Sequence, residues 1–257
     1  MSPSTDPSAD LQRTLAGCSA AHRALEADLV GLTDSNMRQP SLLAGWTVGH
    51  VLTHIARNGE SFVRLIEAAR EGGGGAQYPG GREQRNNDIE VGASRDAVSI
   101  IDDVVATNAA FDDAAASLPE TAWGVDVSFM VGNGSARDIS WRRLREVAVH
   151  HIDLGLATTW RDWPLEYVRP ELQRMTMLWA SRRPMGLTTL PDAALRADDH
   201  LRLAWLLGRA EIDGLEAAAR RGDAEVIDGH VRRGREAVVG LDGRERLHVR
   251  DARAPER

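Results

Sequence analysis

The chain of 257 residues carries 31 basic side chains, all of them arginine, against 38 acidic ones, for a net charge of −7 and a pI near 5.6. That balance, with no basic block, excludes the phosphate neutralisation on which non-specific nucleic-acid binding rests, and the single cysteine, Cys18, excludes an internal disulfide and a cysteine-based zinc ribbon. At 42% hydrophobic the chain can bury a sizeable core, no apolar run approaches the roughly 20 residues of a bilayer span, and the polar start MSPSTDPSAD is unlike a secretory leader, so the expectation is a cytoplasmic protein without nucleic-acid or membrane partners.

Residues 1–7 read as a frayed polar tail. From Ala9 to Leu32 apolar residues recur at helical spacing (Leu11, Leu15, Cys18, Ala21, Leu25, Leu29, Leu32), with Asp6 or Ser8 as cap. Gly45-Trp46-Thr47 opens a second helix that runs to about Arg70, with Thr47 at the N-cap, and the glycine run 72–75 stops it. The segment from Tyr78 to Asn87 reads as irregular. A third helix spans about Ser94 to Leu118, closed by Pro119, and Val125–Met130 alternates as a short extended stretch would. The fourth helix runs from about Ser140 to Ala157.

Four long helices with one real loop predict a mainly α protein, an up-down four-helix bundle over residues 1–160. Residues 161–257 are expected to form a small C-terminal α or α+β region. There Pro164, Pro170, Pro184 and Pro191 punctuate the chain around a helix at Glu171–Ala180, and a last helix covers Asp199 to about Arg220. The tail from Asp223 reads as a weak hairpin around Asp242-Gly243 or as solvated disorder.

The eight histidines hold the chemistry. His50 and His54 lie four apart on the second helix, and Glu146 and His150 four apart on the fourth; such pairs project from nearly the same side of a helix. Either pair alone reads first as core packing or surface pairing. Two of them on different helices of one bundle suit a metal site built from facing helices. Imidazole nitrogen with a carboxylate favours a borderline divalent ion such as Zn²⁺, and three protein ligands leave a position open to a reactant. His50 is either a fourth ligand or a packing residue one turn below His54. His151 points about a quarter turn away from His150. Asp153 shares the face of His150, as an acceptor behind a ligand imidazole or as a polar group toward substrate.

SLLAGWTVGHVLTHIARN (41–58) and ARDISWRRLREVAVHHIDLGL (136–156) resemble the two signature stretches of the mycothiol-dependent maleylpyruvate isomerase family, within the DinB-like metalloenzymes. The patterns G-W-x-x-x-H-x-x-x-H-x-A-R-N and R-E-x-x-V-H-x-x-D-L occur without gaps, and YPGGREQRNNDIE (78–90) and AWLLGR (204–209) also look familial. The resemblance implies a DinB-like bundle in which His54, Glu146 and His150 hold the metal, and the position of His50 is not a regular ligand. It implies that Arg209 lies near the active site, and Arg209 and Asp153 are the candidate catalytic residues. Arg85 is a candidate to hold a substrate carboxylate, a task for which the planar guanidinium is suited. After Trp160 the chain departs from the family, whose usual C-terminal α/β unit resembles sterol-carrier modules: the stretch before AWLLGR is too short for that sheet and reads as a helical cap.

The activity the resemblance implies is cis–trans isomerisation of a maleylpyruvate-like enedioate, in aromatic catabolism through gentisate. A thiol, with a pKa near 8.5, is mostly protonated at neutral pH; coordination to Zn²⁺ deprotonates it. Cys18, on the apolar face of the first helix, is a poor candidate, so the cofactor is a low-molecular-weight thiol, mycothiol or glutathione. Its thiolate adds to the double bond, the resulting single bond rotates, and the thiol is expelled from the trans product, while arginines bind the carboxylates and stabilise the enolate. The alternatives are a thiol S-transferase of the same fold and a non-catalytic helical binding module.

Overall fold

The computed structural model describes residues 6–181, 189–216 and 218. Helix α1 (Pro7–Leu29) starts where the Asp6 carboxylate accepts the Ser8 amide at 3.0 Å, satisfying one of the donors every helix N-terminus leaves open. After one turn, α2 (Asp34–Met37), come α3 (Val48–Arg70), α4 (Gly81–Ala93) and α5 (Ala97–Ser117), the last capped by Asp96. Strands β1 (Asp126–Phe129) and β2 (Gly132–Ser135) form an antiparallel hairpin, and α6 (Asp138–Asp153) follows. Among the described residues beyond 160, α7 (Leu165–Ala180), α8 (Asp192–Arg196) and α9 (Asp199–Leu206) are helical and no strand occurs. No described helix is long and apolar enough to cross a membrane.

The long helices α1, α3, α5 and α6 make the bundle; around its ring α1 packs on α6, α6 on α3, α3 on α5 and α5 on α1. Each of them carries an apolar stretch, a polar level and a second apolar stretch. On α1 the sequence is Leu11 and Cys18, then His22, then Leu25 and Leu29; on α3 it is Val51 to Ala56, then Asn58, then Phe62 to Ala69. On α5 Asn108 separates Val104 from Phe111, and on α6 Arg143 separates Ile139 from Val147. The four polar residues meet. Fully buried Arg143 donates to His22 Nε2 (3.1 Å), Ile55 O (2.9 Å), Asn58 Oδ1 (3.0 Å) and Asn108 Oδ1 (2.6 Å). His22 Nδ1 lies 3.2 Å from Asp112, and Asn108 donates to Glu26 at 2.8 Å. Burial presses Arg143 down to about 10, still far above neutrality, so the bundle centre holds a cation whose donors are matched.

Four elements differ from the expectation. The segment from Tyr78 to Asn87 is not irregular: from Gly81 it belongs to α4. Its apolar positions are too few for a periodic signal, and it packs close against α3, for a Cβ on Gly92 would stand 2.4 Å from Thr53 Cγ2. The fourth helix stops at Asp153 rather than Ala157, with Gly155 at φ +71°, and the last stops at Leu206 rather than Arg220, with Gly208 at φ +71°. The α7 helix begins earlier than expected and holds Pro170 as its sixth residue, inside the helix, where the ring forgoes the bond to the Glu166 carbonyl. The stretch at Val125–Met130 is extended, as β1. The tail from Asp223, with His230 and His248, lies outside the described residues.

The segment after residue 160 closes a third apolar cluster, in which Trp163, Tyr167, Leu172, Met175, Leu203 and Trp205 pack with Val149 and Ile152 of α6. Trp163 donates its indole N–H to Ala148 O at 2.9 Å, and the fully buried pair Arg145–Glu171 ties α6 to α7. The second half of α6, from Arg145 to Asp153, is therefore buried on all sides and its side chains are out of water.

Candidate metal centre

Helix α3 contributes from its second turn. Thr47 caps it by accepting the His50 amide, and His50 Nδ1 in turn lies 3.2 Å from the Thr47 amide and 2.8 Å from its hydroxyl, a reciprocal capping box. The other ring nitrogen of His50 faces Glu90 of α4 at 3.3 Å. Both nitrogens are thus engaged away from the bundle interior, and His50 is a packing and capping residue, the alternative that its spacing left open. One turn on, His54 points inward and is 4% exposed.

Helix α6 packs directly on α3 and brings Glu146 and His150, each 3% exposed, to face it. His54 Nε2 is 3.0 Å from Glu146 Oε2, and His150 Nε2 is 3.7 Å from the same oxygen. The two imidazoles meet edge to face with centroids 4.6 Å apart. One ligand atom from each of the three residues lies within 4.8 Å of the others. Atoms bound at about 2.1 Å to one tetrahedral cation are about 3.4 Å apart, so the cluster closes on an ion with small side-chain adjustments.

Behind His150 stands a second pair. His150 Nδ1 is 3.0 Å from Asp153 Oδ2, and Arg209 grips that carboxylate with two nitrogens, Nε to Oδ1 at 3.2 Å and Nη2 to Oδ2 at 2.7 Å. Asp153 and Arg209 side chains are fully buried. Arg209 also donates to Leu207 O at 2.6 Å. Burial pushes the Asp153 carboxyl up, but the hydrogen bond from His150 and the Arg209 charge overcome it and hold it at about 2. An ionised Asp153 only accepts, so His150 carries a proton on Nδ1 and presents Nε2 to the Glu146 oxygen, the orientation a ligand imidazole needs. This donor set fits a divalent ion of the zinc class.

Arg85 of α4 comes over His54 from the other side, its Nη2 3.1 Å from His54 Nδ1, with Nη1 on Asn86 Oδ1 at 3.1 Å. Burial first, then the charges of Arg85 and His150, holds His54 well below the ordinary histidine range, so its ring is neutral at physiological pH. The Trp46 indole closes the same corner, edge-on to His54 at 5.6 Å between centroids and stacked on His50 at 6.2 Å. His151 turns away and joins Asp28 of α1 at 2.9 Å.

The structure thus brings together His54, Glu146, His150, Asp153, Arg209 and Arg85. Sequence reasoning passed over Arg143 and Trp46. Arg143, three residues before Glu146 and seven before His150, shares their helical face, so its spacing carried the signal; Trp46 stood within the quoted motif.

No curated protein matches the chain. In fold it is similar to a solved structure described as the mycothiol-dependent maleylpyruvate isomerase, with a TM-score of 0.68 and 24% identity over 78% of this chain and 90% of that one. A histidine-to-alanine mutant of that protein matches equally, at 23% identity. The family model of the mycothiol maleylpyruvate isomerase N-terminal domain matches residues 18–155, which takes in α3, α6 and every residue of the His–Glu–His cluster. It spans more than half of the sequence, and the chain belongs to that family.

Proposed function

We propose that the protein is a metal- and thiol-dependent cis–trans isomerase of a maleylpyruvate-like enedioate. The observation that carries this reading is the buried His54–Glu146–His150 cluster with its ligand atoms turned toward one point. These three residues would hold Zn²⁺ or another divalent ion. When bound, the ion with a low-molecular-weight thiol (mycothiol or glutathione) supplies a thiolate for reversible addition across the cis double bond, which frees rotation to the trans form. The thiol comes from outside the chain, since Cys18 is buried against Ser140 O and burial pushes its pKa up to about 12.

The remaining residues position and exclude. Asp153, fixed by Arg209, holds the His150 proton on Nδ1 and leaves Nε2 for the ion. In this reading Asp153 and Arg209 act through His150 rather than on substrate. Arg85 takes a substrate carboxylate, and Trp46 walls the site. The C-terminal segment, residues 161–257, acts as a cap unit on the 1–160 bundle and supplies Arg209.

Activity toward maleylpyruvate, with a panel of thiols and bound metal quantified on the same sample, tests the reading. Thiol-dependent formation of the trans isomer, lost in His54→Ala, is expected. A stable thiol adduct as product identifies an S-transferase instead, and metal-loaded protein inert with every thiol and electrophile removes the isomerase assignment.

A further inference from the structure

The two histidines of the cluster are prepared in opposite ways. His150 meets a carboxylate at Nδ1, so its Nε2 is ready to bind a cation. His54 meets a guanidinium at Nδ1, 3.1 Å away. Arginine has no acceptor, so the contact is a hydrogen bond only when His54 Nδ1 is the lone-pair nitrogen. The single proton of the neutral ring then sits on Nε2 and is donated to Glu146 Oε2 at 3.0 Å. Arg85, His54 and Glu146 form a closed chain of donors and acceptors in which the atom needed for a metal is occupied by a proton.

A cation bound through His54 Nε2 needs that lone pair. The ring stays neutral, so its proton moves to Nδ1, and no proton is gained or lost overall. Two N–H donors would then face each other across 3.1 Å, both deprived of an acceptor, and the buried Arg85 side chain, 7% exposed, could not remain there. Resting on the metal-site reading above, we propose that metal binding at His54 and release of Arg85 are one coupled event. The guanidinium becomes a carboxylate receptor only once the cation is in place. Arg85 is a metal-gated arm: the loaded site binds an anionic substrate, and the metal-free site keeps its arginine folded onto His54. By linkage, a dicarboxylate that engages Arg85 strengthens metal binding by the same factor by which the metal strengthens dicarboxylate binding.

Zinc affinity, measured on metal-free full-length protein by competition with a chromophoric chelator, with and without maleate as probe, tests the coupling. Arg85→Gln is expected to bind Zn²⁺ about tenfold more tightly than the parent, because a charge-assisted hydrogen bond no longer has to be broken. Maleate is expected to tighten Zn²⁺ binding in the parent and to lose that effect in the variant. An affinity in Arg85→Gln equal to or below the parent's, or an undiminished maleate effect, overturns the proposal. Nitrogen-15 spectra of the metal-free parent give a second measure that needs no variant: the His54 proton on Nε2 is expected, and a proton on Nδ1 overturns the proposal. His54→Ala separates the two levels. If it binds Zn²⁺ like the parent, the metal site itself falls, and the gate with it; if it loses the ion while Arg85→Gln is indistinguishable from the parent, the site stands and only the gate falls.

Discussion

Arg209→Gln removes one partner of a fully buried ion pair and leaves the Asp153 carboxylate with the His150 ring alone. Breaking such a pair from one side costs about 3–5 kcal/mol, because the remaining charge stays out of water. For a chain of this size each kcal/mol lowers Tm by roughly 2–4 °C, so the variant should melt about 6–20 °C below the parent. The partial neutral alternative, protonation of Asp153, sets the pH dependence: the carboxyl no longer sits near 2, and the deficit shrinks as the pH is lowered toward its raised value. Replacing both partners, Asp153→Asn with Arg209→Gln, leaves no buried charge and should recover part of the loss, a coupling that a double-mutant cycle measures. Thermal unfolding of the metal-free proteins by circular dichroism is the assay. A loss below about 1 kcal/mol, the value of an exposed pair, or a double variant no better than the sum of the singles, would refute the view that Arg209 acts by holding Asp153.

The parent itself should show the same carboxyl in acid: with a native pKa of about 2 against an ordinary 3.8, Asp153 stabilises the fold fully above that ordinary value and loses its contribution as the pH falls through 2. Asp153→Asn should flatten that limb of a plot of Tm against pH; an unchanged limb would count against the assignment. His50→Ala should cost about 1 kcal/mol through the lost capping box while the metal content stays at the parent's level, and loss of the metal would make His50 a ligand. Cys18 should resist alkylation in the native protein and react once it is unfolded, as a thiol held near 12 by burial requires; rapid native labelling, followed by mass spectrometry, would contradict that.

Much of the site could be read from spacing because helices make spacing into geometry. His54 on one helix, and Glu146 with His150 on another, needed only the bundle to face each other. The central Arg143 was equally accessible, on the same face as its two neighbours in the motif, yet nothing in the run RRLRE tells the buried guanidiniums of Arg143 and Arg145 from the part-exposed one of Arg142. What spacing does not carry is contact between distant segments. Arg209 reaches Asp153 across 56 residues of chain, and Arg85 reaches His54 from a helix whose only strong core residue besides itself is Ile89. The helix α4 packs close against Thr53 at a glycine and has too few apolar positions for a stripe, so no periodicity announces it. The capping role of His50 was concealed for a related reason: a histidine at that position of a capping box also stands four residues before another histidine.

The most direct test of the metal centre is the metal content of the purified chain, by mass spectrometry of the native protein and by elemental analysis, for the parent, His54→Ala, Glu146→Gln and His150→Ala. One tightly held divalent ion per parent chain, and its loss or at least about tenfold weaker retention in each variant, is the expected result. A parent that binds no divalent ion when offered Zn²⁺, or variants that retain it unchanged, would contradict the account.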